Sequence, residues 1–140
     1  PAGSRGWGLL DVAAPSDMAN ITVEDLDDFN SEDYSANQLK SKFLLAALAG
    51  LGRVDGSATA EFSDDLDIDL SRTSKWTKAI QSAAQRGQKG TVALLTAIGM
   101  QGQNWQAMSP LHLFHITRAL KQVGLEAEAR MIAAEALTRA

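Results

Sequence analysis

Apolar side chains recur along this chain at helical spacing, in blocks separated by glycines and polar stretches. Leu39, Phe43, Leu44, Ala47, Leu48 and Leu51 make a wide apolar stripe. That stripe predicts a helix from about Ser35 to Leu51, ended by Gly50 and Gly52. Trp76, Ala79, Ile80, Ala83 and Ala84 fit the i, i+3, i+4, i+7, i+8 template of a second helix, which stops at Gly87. After Gly90, Thr91 is the expected cap of a helix through Val92–Ile98, with Gly99 and Gly102 ending it. Ser109 followed by Pro110 is a strong helix start, and Leu113, Ile116, Leu120 and Val123 form the inner face behind it. Gly124 breaks that helix, and a last one presents Ala129, Ile132, Ala133, Ala136 and Leu137. Glu126 and Glu128 at its start and Arg139 at its end match the helix dipole. Ser109 to Ala140 thus reads as a complete helical hairpin, too apolar to stand without further helices against it.

The first half is less regular. Residues 1–21 carry Gly3, Gly6, Gly8 and Pro15 and read as an arm or linker, with Trp7 and Leu10 packing onto the body. Residues 22–140 read as a single helical domain. Thr22 and Asp25 have capping-box spacing, with Val23, Leu26 and Phe29 on one face behind them. From Arg53 to Ser71 the chain is polar, and the alternation in Ser63–Leu70 suits a short strand or an extended crossing segment. A loop of that length is uncommon in a small helical domain, so it is expected to be functional or partly mobile. The expected fold is all-α, with five to six helices. Its antiparallel hairpins would stack as a short right-handed superhelix or bundle, with an acidic extended loop.

Gly52, Gly87 and Gly124 each follow an apolar helix, at intervals of 35 and 37 residues, a range typical of stacked helical hairpins. A shift of 37 lays Trp76 on Leu113, Ala79 on Ile116, Ala83 on Leu120, Gly87 on Gly124 and Leu95 on Ile132. The last hairpin resembles the tetratricopeptide repeat: Leu113, Ile116, Leu120, Gly124, Ala129 and Ala136 stand at the motif's apolar, glycine and alanine positions. Thr117 stands where glycine or alanine is usual, and Ala133 where an aromatic is usual. In the preceding unit Trp76 suits the motif's tryptophan position, but the expected turn between its helices is three residues longer. The resemblance covers about 65 residues; a divergent helical repeat or a plain bundle satisfies most of the same positions. It implies a scaffold that holds a peptide or partner protein in a groove, and it brings no catalytic residues.

Composition narrows the picture. The 140 residues are 45% hydrophobic and 6% aromatic, a balance for packed helices built on small side chains. The chain lacks cysteine, which removes disulfides and thiolate chemistry. Its longest apolar run, Phe43–Leu51, has nine residues where a membrane helix needs about 20, so it reads as a core helix and no membrane partner is expected. The chain begins at Pro1 without a basic-then-apolar leader, and reads as the C-terminal part of a larger bacterial protein. Charge is divided: residues 1–71 hold 14 acids and 4 bases, residues 72–140 hold 3 acids and 9 bases. Either the halves fold onto one another, or the molecule has two unlike surfaces that favour head-to-tail association or a steered partner.

Candidate chemistry is sparse. His112 and His115, three apart on one helix, have the spacing to share a metal, but no acid lies one turn away to join them. Asp65, Asp67 and Asp69 imitate the start of a calcium loop, yet Leu70 stands where glycine is needed and Trp76 where a bidentate glutamate belongs. The same acids are alternatively placed to neutralise Lys75, Lys78, Arg118 or Lys121. No nucleophile elbow, phosphate loop or dinucleotide fingerprint occurs, so no cofactor is assigned. Scattered single bases and few aromatics argue against nucleic acid. Trp105, among Gly102, Gln103, Asn104 and Gln106, is either a lid on the core or an exposed anchor. The reading that results is a non-enzymatic protein–protein interaction or assembly domain, binding a protein, a peptide or itself. Trp105, His112, His115, Asp65, Asp67 and Asp69 are its candidate contact residues. The competing readings are a small hydrolase using Asp or Glu in a cleft, and a structural cap on an upstream domain.

Overall fold

Eight α-helices follow one another in a computed structural model that describes residues 4–15, 21–101 and 108–140: α1 (Arg5–Ala13), α2 (Val23–Ser31), α3 (Leu39–Gly50), α4 (Gly56–Asp65), α5 (Lys75–Gln85), α6 (Lys89–Met100), α7 (Pro110–Gln122) and α8 (Glu126–Arg139). A single 3-10 turn at Ala36–Gln38 leads into α3, and the described residues contain no strand. Helix α7 is the hub of an all-α bundle, packing against α3, α5, α6 and α8. A superhelix laid down in chain order would set α3 against α5; α3 packs instead on α7 and α8. The core is continuous, from Phe43, Leu44, Leu45 and Leu48 of α3 through Leu113, Ile116 and Leu120 of α7 to Ala129, Ala133 and Leu137 of α8.

Four of these helices end in the same way. At Gly52, Gly87 and Gly124 the backbone takes φ of +72°, +68° and +85°, and the glycine's own N–H and the one after it turn back onto the helix carbonyls. Gly124 donates to Lys121 and Leu125 to Leu120, the paired bonds of a Schellman cap, which a residue without Cβ adopts at least cost. The fourth end is α4, where Asp67 (φ +54°) holds the glycine position, donating to the Asp64 carbonyl while Ile68 donates to Ser63.

Several expectations need correction. The stretch Arg53–Ser71 is not one loop: Asp55 accepts the Ala58 N–H and starts α4, and Ala58, Phe62 and Leu66 (one turn apart each) bury its inner side. A 3.6-residue stripe therefore overrides the alternation that suggested a strand, and the non-helical part begins only after Asp65. Gly50 is the last residue of α3, as expected, but its smallness also serves packing: α7 crosses there so closely that an added Cβ would clash with Thr117 Oγ1. Thr91 is not a cap, because α6 starts two residues earlier at Lys89. The α5–α6 and α7–α8 turns consequently have equal length, residues 86–88 and 123–125, and the expected three-residue difference disappears. Gly99 sits within α6, not past its end, in contact with the Trp76 ring, whose Nε1 donates to the Leu95 carbonyl at 2.8 Å. Ala79 faces outward from α5, although Ile80, Ala83 and Ala84 are buried as expected.

Part of the expected arm is α1, which packs on α8 and α3 with Val12 fully buried and Trp7 against Phe29. Leu10, by contrast, points outward at 69% exposure. The C-terminal end of α1 is held by Arg53, whose guanidinium donates to the carbonyls of Asp11 and Ala14 and lies 3.5 Å from Glu126 at the start of α8. Arg130 adds a bond to the Ala13 carbonyl at 3.2 Å. Two cations thus meet carbonyls that the helix itself cannot satisfy.

Candidate functional site

The close crossing of α3 and α7 fixes the floor of an open groove. Thr117 is fully buried and turns its hydroxyl back onto the Leu113 and Phe114 carbonyls, so the helices approach at Gly50 without an unpaired polar atom between them. Helix α4 packs on α3 and α2 and stands off α7. The gap it leaves, about 1140 Å³, is also lined by residues 67–72, the non-helical segment that follows α4. Val54, Ile68, Leu70, Leu111 and Phe114 give it apolar walls, and Ala49, Gly50, Gly52 and Ala60 keep its floor shallow.

Charge is placed at the groove's edges. Asp64, Asp67 and Asp69 stand on the α4 side, and Arg72 and Arg118 are the basic residues of the lining. Arg118 lies over the Phe114 ring, its Cζ 5.8 Å from the centroid. The Ser71 side chain and backbone both bond Asp69, which holds that carboxyl below its ordinary pKa and ionised. All three acids are exposed, and among the described residues no ion pair joins them to Lys75, Lys78, Arg118 or Lys121.

The expected contact residues divide accordingly. Asp67 and Asp69 line the groove; Asp65 lies beside it at the end of α4 but outside the lining. His112 and His115 belong to the packing among α5, α6 and α7. The His112 ring rests on Trp76 at 4.6 Å, and His115, 6% exposed, meets the edge of Phe114 at 5.1 Å. Burial lowers the pKa of both, with Arg118 adding to the effect at His115, so both rings are neutral at pH 7. Trp105 lies outside the described residues. Among those described, no three His, Asp or Glu side chains converge as metal ligands, and no helix is long and apolar enough to cross a membrane.

Leu111, Phe114, Arg72 and Arg118 were not singled out as contact residues from sequence. Leu111 and Phe114 fall off the apolar stripe of α7, which is itself a signal: large apolar side chains outside the core-facing positions of an amphipathic helix need another occupant.

The carboxyl that does carry a raised pKa is elsewhere. Asp11 is pushed up to about 6 by burial and by Asp25, against the opposing pull of Arg53. It lies in the last turn of α1 and does not line the groove. Compared with family models, with curated proteins and with solved structures, the chain matches none.

Proposed function

We propose that this chain is a protein-interaction domain that receives a peptide or a segment of a partner in the groove between α3, α4 and α7. The observation that carries this reading is the groove itself: about 1140 Å³, open, apolar along its walls and charged at its edges. That is larger than the roughly 300–1,000 Å³ of typical small-molecule pockets. It combines apolar anchoring with a charged edge, as interfaces do. A hydrolase reading would need facing carboxyls in a deep, apolar setting, whereas Asp64, Asp67 and Asp69 are exposed.

The same reading is supported by the two hairpins α5–α6 and α7–α8. They share turn length and the left-handed glycine at the end of the first helix. In that view they are divergent helical-repeat units of tetratricopeptide-like kind, and Thr117 is tolerated at a small-residue position because Gly50 opposes it.

Selection of peptides from a random display library tests the proposal. Enriched peptides should bind the native chain and lose at least about tenfold in affinity to Leu111→Arg or Arg118→Glu, about 1.4 kcal/mol. They should keep full affinity for Met131→Gln, which alters an exposed side chain on α8 away from the groove. No enrichment, or binding indifferent to the groove substitutions, would overturn it.

A further inference from the structure

Charge is segregated in the fold more sharply than in the two halves of the sequence. Residues 6–39 contain no lysine or arginine, and residues 70–125 contain no aspartate or glutamate. The acids Glu24, Asp27 and Asp28 of α2, Glu32 at its C-cap, and Glu61, Asp64 and Asp65 of α4 are all exposed, on two helices that pack side by side. Lys75, Lys78, Arg86 and Lys89 are exposed on the α5–α6 hairpin. Neither α2 nor α4 packs against α5 or α6, so the two charged surfaces do not neutralise each other within one molecule.

The cationic hairpin also carries apolar surface with no partner among the described residues. On α6, Leu94 and Ile98 are one turn apart and 61% and 50% exposed, with Ala97 beside them. Val92, Thr96 and Gly99 take the inward face of the same helix. An apolar ridge on an acid-free, positive hairpin is complementary to a groove with apolar walls whose lining holds three carboxylates, Asp64, Asp67 and Asp69, against two guanidiniums, Arg72 and Arg118.

We infer that the groove's partner is a second copy of this chain, whose α6 ridge of Leu94 and Ile98 docks against the acidic edge of the groove. This inference rests on the groove being a binding site. The two contacting surfaces are different, so the interface is heterologous: each bound copy leaves one groove and one ridge free, and growth does not stop at a dimer. The attraction between opposite poles steers the encounter and weakens as salt screens it.

Sedimentation velocity of the native chain over a range of concentrations, at low and high salt, is the first test. Mass should rise past the dimer with concentration at low salt, and association should weaken about tenfold or more between ~20 mM and ~300 mM monovalent salt. The second test uses Leu94→Glu and the double substitution Asp64→Lys with Asp67→Lys, all at exposed positions, with circular dichroism confirming the fold. Each variant alone should be monomeric, and their equimolar mixture should form a one-to-one dimer and nothing larger, because one supplies the intact groove and the other the intact ridge. A native chain that is monomeric at low salt, a dimer that closes, variants that still associate, or a mixture that stays monomeric would each overturn the inference. If groove-dependent peptide binding persists while the native chain stays monomeric, this inference alone fails. If neither is seen, the groove reading fails with it.

Discussion

Asp67 was first of interest as a possible cation ligand, and its backbone gives it another role. Its φ of +54° places it in the left-handed region, at the position that glycine fills at the ends of α3, α5 and α7. An L side chain there costs about 1 kcal/mol. Asp67→Gly should therefore raise the stability to urea by about 0.5–1 kcal/mol, with an unchanged slope of the unfolding curve; a loss of stability would show that the carboxylate contributes more than the strain. Asp11 makes a second prediction. Its folded pKa of about 6 exceeds the ordinary carboxyl value of 3.8, so the folded state holds the proton more tightly. The associated stability is complete below about pH 4 and is lost as pH rises through 6. Asp11→Asn should leave stability near pH 4 unchanged and increase it at pH 8 by on the order of 1 kcal/mol after solvent screening. His112 and His115 act in the opposite sense: their lowered pKa values stabilise the fold above 6.5 and cost stability as pH falls below that value. The difference between the native chain and Asp11→Asn, taken at each pH, isolates the carboxyl from the imidazoles.

Individual helices were legible in proportion to how far their own residues decide them. Ser109-Pro110, the box of Thr22 with Asp25 and the Gly124 stop are local chemistry, and each sits where the sequence places it. Helix α4 was missed because its N-cap is Asp55, within a polar run, and its apolar stripe is only Ala58, Phe62 and Leu66. That Trp7 packs onto the body was readable, but the hold on the C-terminal end of α1 was beyond the reach of pattern, since it depends on Arg53, which is distant in sequence. The side chain of Arg53 is 1% exposed, bonding two α1 carbonyls and pairing with Glu126. Removing it strands those partners away from water, a loss of about 2–4 kcal/mol. In Arg53→Met, hydrogen exchange should speed up in α1 first, while α5, α6 and α7 keep their protection; uniform loss across all helices would show that α1 is not separately held.

At the scale of the molecule, the groove was only half legible. Asp67 and Asp69 could be named from sequence, but the walls opposite them come from Leu111, Phe114 and Arg118, some 45 residues further on, and it takes the α3–α7 crossing to bring them together. No spacing rule joins segments that far apart. The division of charge was readable, and its consequence for stability can be measured on dilute protein. One-signed surfaces repel themselves, and the described side chains hold few ion pairs to offset this. The melting temperature should therefore rise by a few degrees with added monovalent salt; a fall would show that attraction between the poles outweighs repulsion within them. The crossing at Gly50 and Thr117 has a further consequence, for the order in which the chain assembles. These residues touch across 67 positions of sequence, whereas the α5–α6 and α7–α8 turns join helices only three residues apart. The hairpins are local and quick to form, while seating α3 on α7 must close a long loop, whose entropy is lost before the contact repays it. On that physics α3 arrives late, onto a surface the two hairpins have already built, and the groove comes into being only with that last step.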